Sequence, residues 1–345
     1  MRKFLSVLLV FALSISLVAC GVDKTTDTPS PTPNGGTNST PTTISVYMPD
    51  GAPALALAYE VHSNSAGKYQ LDCHVVDAST IATYVTGETP AADICILPIN
   101  AAAKLLGSGN KYKLVGSVTN GNIYIISKNG VQITKDNVSE LVGKTVGVVN
   151  LANVPGLTTQ IVLNQHNLKY NIVDNQGTTV SDAVNLVAVN AQDITPAGTC
   201  DYYVIPEPAA TVKVDKAGFT LCGSIQELYS DEGMYPQAVM VVKNDLLNNY
   251  SDLVKYLEGV LESNTQWLAT ASVTDITEAI QAHLTEGMTP SLSATTLTAD
   301  AIAGCNIKYV SVVDNHDYFN DFVAKLLVVN PASTAEMTDN FFYSK

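Results

Sequence analysis

The sequence predicts an α/β fold in two lobes, each a mixed, mostly parallel sheet flanked by helices. Three observations predict it. From Thr43 onward, apolar runs of strand length alternate with helical stretches through short connections, the pattern of βαβ units. About 300 residues follow the N-terminal leader, more than one core normally holds. A composition of 46% hydrophobic and 14% charged residues fits a packed body.

Residues 44–48 form the first predicted strand, and the turn 49–53 enters a helix over 54–62 through a proline, whose missing N–H costs little there. Strands follow at 69–76 and 93–97, around a short helix at 80–86. Asn100 is the natural N-cap of a helix over 101–106. Strands at 113–118 and 123–127 flank the polar Asn120-Gly121-Asn122. A second α/β unit opens with the buried-type strand 145–149, a turn over 150–156 and a helix over 157–166. Further strands are expected at 171–173, 201–205 and 219–222, with a return strand at 236–243. Behind Ser251, the residues Leu253, Val254, Leu257, Val260, Leu261 and Leu268 keep the period of an amphipathic helix. Phe319, Phe322, Val323, Leu326 and Leu327 mark a last one. The chain thus divides into a discontinuous lobe 1, residues 44–122 and 238–345, and a lobe 2, residues 123–237. The hinge candidates are Asn120-Gly121-Asn122 and Tyr235-Pro236.

The N-terminus carries an address. Arg2 and Lys3 precede an apolar run broken only by serines, too short for a confident membrane span, and Leu17-Val18-Ala19 leads to Cys20. Residues 1–19 read as a signal peptide, and the segment resembles a bacterial lipoprotein signal with its lipobox. That resemblance implies a diacylglyceryl anchor of palmitate type on Cys20. Residues 20–43 are the lipidated Cys and a Thr-, Pro-, Ser- and Gly-rich disordered linker, too poor in apolar groups to offset the entropy of ordering. The expected location is extracytoplasmic, tethered to the cell membrane.

Charge narrows the partners. The chain carries 18 basic and 32 acidic residues, a net −14, which argues against nucleic acid and against adhesion to anionic lipid. Arg2 is its sole arginine, so no guanidinium fork is left to clamp an anion, and a strongly anionic ligand is disfavoured. After Cys20 come Cys73, Cys95, Cys200, Cys222 and Cys305, an odd set with no zinc-ribbon or CxxC spacing. Buried free thiols are expected, with Cys200 and Cys222 the pair to test for a disulfide. His62, His74, His166, His283 and His316 form no i, i+4 pair, and no GxSxG occurs. Asp72-Cys73-His74 puts Cys and His on opposite faces of a strand, which is wrong for a catalytic dyad. No cofactor, metal or catalytic residue is expected.

Several segments together carry a family resemblance. They are the strand–turn–helix over 47–58, Ala92-Asp93-Ile94-Cys95-Ile96-Leu97-Pro98-Ile99-Asn100, Leu141-Val142-Gly143-Lys144-Thr145-Val146-Gly147-Val148 and Tyr203-Val204-Ile205-Pro206-Glu207-Pro208. The tail from Cys305 through Asn330-Pro331 to Tyr343 joins them. In order and spacing they look like ABC-transporter solute-binding proteins, nearest the thiamine-pyrimidine, aliphatic sulfonate and nitrate receptors. The resemblance implies a periplasmic-binding-protein type II fold with a ligand clamped in the cleft between lobes. It also implies an ABC permease and its ATPase subunit as partners of a monomeric receptor. The alternatives are an extracytoplasmic lipoprotein enzyme, or a ligand sensor using the same fold without transport.

In open parallel sheets, ligands lie outside the C-terminal strand ends. That rule selects the loops 49–53, 98–100 and 150–156, and with them Asp50, Ala52, Pro98, Asn100, Asn153, Val154, Pro155 and Thr158, with Thr159 beside it. Each loop ends at a helix N-terminus, whose free N–H groups suit an acceptor. Glu207, fixed between Pro206 and Pro208, is the acid expected to face the cleft, and it favours a small neutral or nitrogen-bearing ligand, heterocycles included. Tyr47, Tyr84, Tyr124 and Tyr235 are candidate walls, of which two are expected to line the site. Asn120 and Asn122 are expected to touch ligand from the hinge. Each of these residues has an ordinary alternative as a cap, turn or core residue.

Overall fold

The computed structural model describes residues 41–63, 67–174 and 177–345. The signal peptide, Cys20 and the linker up to residue 40 lie outside the described residues. The strands are β1 (Thr42–Pro49), β2 (Tyr69–Val76), β3 (Ile94–Pro98), β4 (Tyr112–Thr119), β5 (Ile123–Ser127) and β6 (Thr145–Val149). They continue with β7 (Tyr170–Val173), β8 (Val184–Val189), β9 (Tyr202–Pro206), β10 (Thr220–Ser224), β11 (Ala238–Lys243) and β12 (Ile307–Ser311).

They form two six-stranded sheets, ordered β12-β4-β11-β3-β1-β2 and β10-β5-β9-β6-β8-β7. In the first sheet β2, β1, β3 and β4 point one way, and β11 and β12 run against them. In the second, only β5 opposes the rest. The chain crosses from β4 to β5 through residues 120–122 and returns before β11, so two crossovers join the sheets.

Alternation along β1 explains the core of the first sheet. Ile44, Val46 and Met48 are buried on one face, against Leu55 and Leu57 of the following helical segment and Leu257 and Leu261 of the helix Leu253–Leu268. In the second sheet Ile125, Val146, Val148 and Val204 pack under the helix Val154–Gln165, while Ile126, Tyr203 and Ile205 face Ala210 and Phe219 on the other side. Residues 154–163 of that helix are all buried. A helix buried on every side belongs between layers, and its Thr158, Thr159 and Gln160 satisfy that place by bonding the helix's own carbonyls. The outer layer is the helix His316–Val329, whose Phe319, Phe322, Val323 and Leu326 continue one core through both sheets. Each such phenylalanine contributes roughly 1.5–3 kcal/mol by burial.

Several elements differ from expectation. The strand β8 was not anticipated: Asn185 breaks its apolar run, yet the amide is fully used, donating to the carbonyls of Lys144, Val180 and Ala183. The second-lobe helix begins at Val154, with Pro155 in its first turn. Asn100 is not an N-cap. Pro98 takes that position, and Asn100 is the second residue of the helix Ile99–Leu106. Cys200 and Cys222 are both free, as are the other three described cysteines. Cys222 lies on β10 and Cys200 just before β9, with β5 between them, and they pack on opposite faces of the sheet. Two strand spacings, roughly 10 Å, exceed what a disulfide spans. No described helix is long and apolar enough to cross a membrane.

Candidate functional site

The two crossovers run side by side and are laced by amides. The backbone N–H of Gln237 donates to Thr119 O at 3.0 Å, and that of Tyr235 to Asn120 O at 3.4 Å. Asn120 Oδ1 accepts from Ser117 Oγ at 2.6 Å and Tyr318 Oη at 2.9 Å, while its Nδ2 donates to Lys308 O at 2.6 Å. Asn122 Oδ1 accepts from Gln237 Nε2 at 2.6 Å, and Gln237 Oε1 accepts from the Asn122 N–H at 3.1 Å. Tyr235 Oη donates to the same Oε1 at 3.3 Å and lies beside Thr158. Asn122 Nδ2 donates to Glu207 O at 3.4 Å, and the Glu207 N–H to Asn122 O at 2.9 Å. Asn120, Asn122, Thr158, Glu207 and Tyr235 therefore form one connected buried cluster. Tyr235 is wholly buried, its ring stacked on Phe322 at 5.1 Å, and burial drives its phenol well above the ordinary value.

Glu207 meets the first lobe across the junction. Its Oε2 accepts from the Thr211 N–H at 3.0 Å and its Oε1 from Thr211 Oγ1 at 2.7 Å, closing the first turn of the helix Ala209–Ala217. Burial raises its carboxyl pKa despite those bonds. Against it lies Gly304, whose carbonyl accepts from Tyr124 Oη at 3.1 Å. Burial, then the charge of Glu207, pushes the Tyr124 phenol up to about 12.

The remaining residues stand apart. Asp50 ties its own loop, accepting from the Gly51 N–H at 2.8 Å and the Ser291 N–H at 2.7 Å, over a buried Ala52. Tyr47 stacks between Tyr84 and His74 at 4.3 and 4.6 Å, and its phenol is raised by burial, then by Tyr84, Asp72 and Asp93. Asn100 Nδ2 donates to Ser333 O at 3.3 Å, while its buried Oδ1 has no partner among the described residues. Pro98 heads that helix, and the Ile99 N–H donates to Gln237 O at 3.1 Å. Asn153 is the exposed N-cap of the helix Val154–Gln165 and makes no side-chain cap bond. Val154 and Pro155 are buried, and Thr158 and Thr159 turn their hydroxyls back onto the carbonyls of Val154 and Pro155 at 2.7 and 2.8 Å.

Sequence reasoning missed Gln237 and Gln226. Gln226 Oε1 accepts from the Ile123 N–H at 3.0 Å, just where the chain enters the second sheet. Neither belongs to a motif; the sole signal is a glutamine beside a predicted crossover. Also missed were Gln160, Asn190 and Asn330, which with Asn153 and with Asn150 of the selected loop 150–156 line a cavity of about 580 Å³ at the C-terminal ends of β6 and β8. Among the described residues no group of three or more His, Cys, Asp and Glu is placed to hold a metal.

No protein-family model and no curated protein matches the chain in sequence. Solved structures do match its fold. An ABC transporter structure from Parabacteroides distasonis aligns with 19% identity and a TM-score of 0.65, over 88% of this chain and 99% of that one. The zinc-bound ligand-binding component of an ABC-type import system from Staphylococcus aureus aligns with 10% identity and a TM-score of 0.57, covering 88% and 97%. The periplasmic aliphatic sulphonate binding protein SsuA of Escherichia coli aligns with 11% identity and a TM-score of 0.59, covering 88% and 92%. With its two sheets, paired crossovers and near-complete overlap with these proteins, the chain has the two-lobed periplasmic-binding-protein type II fold.

Proposed function

We propose that this protein is the solute-binding component of an ABC importer, anchored outside the cell membrane by lipid on Cys20. Residues 123–237 move as one lobe against residues 44–122 and 238–345, clamp a small ligand between them and deliver it to a permease driven by its ATPase subunit. The receptor acts as a monomer. The observation that carries this reading is the pair of adjacent crossovers, laced through Asn122 and Gln237, that are the chain's passages between the two sheets. Two lobes on such a joint form a cleft at their strand ends, the usual place for a ligand. Contacts to ligand fall to the loops 49–53, 98–100 and 150–156, with Glu207 at the base.

A thermal-shift screen of the purified protein tests the reading. A ligand at a hundred times its Kd stabilises by about 2.7 kcal/mol, a rise of several degrees in Tm. Turnover of a small substrate by the pure protein would instead make it an enzyme. For the anchor, Cys20→Ala should release the protein from the membrane fraction and abolish labelling by palmitate.

A further inference from the structure

The 580 Å³ cavity lies outside the ends of β6 and β8, against the end of the helix His316–Val329. Its size suits a small ligand. Its polar lining is Asn150, Asn153, Gln160, Asn190 and Asn330, and among the described residues no ionisable side chain lines it. Leu151, Leu157, Ile172 and Val329 form much of the apolar wall. We propose that this cavity is the ligand subsite and that it takes an uncharged small molecule rich in hydroxyl or amide groups. The proposal rests on the solute-binding reading above and names the chemistry of its ligand.

The lining decides the class. A carboxamide offers a donor and an acceptor together, the complement of a hydroxyl or an amide. An anion entering the same space would lose water and meet no cation in the lining, and a cation would meet no carboxylate there, since Asp193 stands behind Asn190 and accepts from its amide. Several of the amides are already oriented. Gln160, only 4% exposed, donates through Nε2 to Gly156 O at 3.1 Å. Asn190 donates through Nδ2 to Asp193 Oδ2 at 2.8 Å, which leaves its carbonyl oxygen uncommitted, whereas Asn330 Oδ1 accepts from the Ala332 N–H at 3.1 Å, which leaves its NH₂ uncommitted. Asn153 makes no cap bond, so its whole amide is available.

The helix ends agree. The N-terminus of Val154–Gln165 and the C-terminus of His316–Val329 meet at this cavity, through Asn153 and through Val329 and Asn330. Their partial charges are opposite, so an anion favoured by the first is opposed by the second, while a neutral dipolar molecule is favoured by both.

Calorimetric titration of the purified full-length protein tests this with two arms. The neutral arm holds monosaccharides and nucleosides, which separates the hydroxyl-rich from the amide-bearing source; the charged arm holds aliphatic sulfonates and polyamines. A neutral compound is expected to bind, and Asn153→Ala and Gln160→Leu should each weaken it about tenfold, with the unliganded Tm of Asn153→Ala unchanged because no cap bond is lost. Binding confined to a sulfonate or a polyamine would overturn the inference and leave the solute-binding reading standing. Neutral binding unaffected by Asn153→Ala and by Gln160→Leu would overturn the cavity as its place. Binding by neither arm would overturn the inference and count against the underlying reading as well.

Discussion

Gly304 is where one methyl group can be placed between the two lobes. A Cβ there would lie 3.0 Å from Glu207 Cγ, 3.1 Å from its Oε1 and 3.2 Å from Tyr124 Oη. Neither neighbour is free to swing away: Thr211 holds the carboxylate by two hydrogen bonds, and Tyr124 donates to the Gly304 carbonyl. Gly304 closes the helix Ala299–Gly304, so alanine regains up to about 1 kcal/mol of helix propensity. Overpacking by a methyl against held groups costs roughly 1–3 kcal/mol. Gly304→Ala should therefore destabilise by about 1 kcal/mol net, lowering Tm by about 2 °C in a calorimetric scan. Glu207→Ala removes both nearest atoms, so the double variant should recover about 1–2 kcal/mol relative to the sum of the single changes. A rise in Tm for Gly304→Ala with no coupling to Glu207 would refute the contact.

The crossover cluster makes a harsher prediction. Asn120→Ala leaves the buried Ser117 hydroxyl and the half-buried Tyr318 hydroxyl without their common acceptor and Lys308 O without its donor, a loss of about 2–4 kcal/mol readable as a lower urea midpoint; a change under 1 kcal/mol would show the cluster is not needed. Glu207 predicts a pH dependence. Burial raises its folded pKa above the ordinary 4.5, so its contribution to stability is complete below that pH and is lost as pH rises through the folded value. Glu207→Gln should remove this slope, so the Tm difference shifts in favour of the variant between about pH 4 and about pH 7, and a constant difference would contradict the shift. Thiol titration should find Cys200 alone reactive in the native body, since Cys73, Cys95, Cys222 and Cys305 are buried and burial pushes Cys73 up to about 12; fast reaction of a second thiol would show a looser core.

Strands buried on both faces are written as short apolar runs, and there the sequence is legible. Thr145–Val149 and Ile123–Ser127 fall where the pattern puts them, and Ile94–Pro98 is displaced by one residue. Legibility fails where a polar residue is made tolerable by distant partners. Asn185 would be costly in β8 without the carbonyls of Lys144, Val180 and Ala183, of which Lys144 lies 41 residues back along the chain. Proline misleads in another way. Pro155 reads as a turn residue until its place in the first turn of a helix is known, which moved the predicted start from 157 to 154.

The strand-end rule selected loops, and it cannot separate a residue that faces solute from one that holds the loops together. Both roles ask for an amide at the same place. What separates them is satisfaction of the side chain. Asn120 and Asn122 have both ends of their amides engaged within the protein, so replacing either breaks the joint before it touches any ligand. Asn153 has no such engagement at its helix end, and the cavity beside it gathers four more carboxamides from separate loops and helices. A polar group the protein leaves available is the one whose bond a ligand can supply, at no cost in internal hydrogen bonds. Affinity changes at Asn153 without stability changes, and stability changes at Asn120 with or without ligand, are the paired outcomes that distinguish the two kinds of amide.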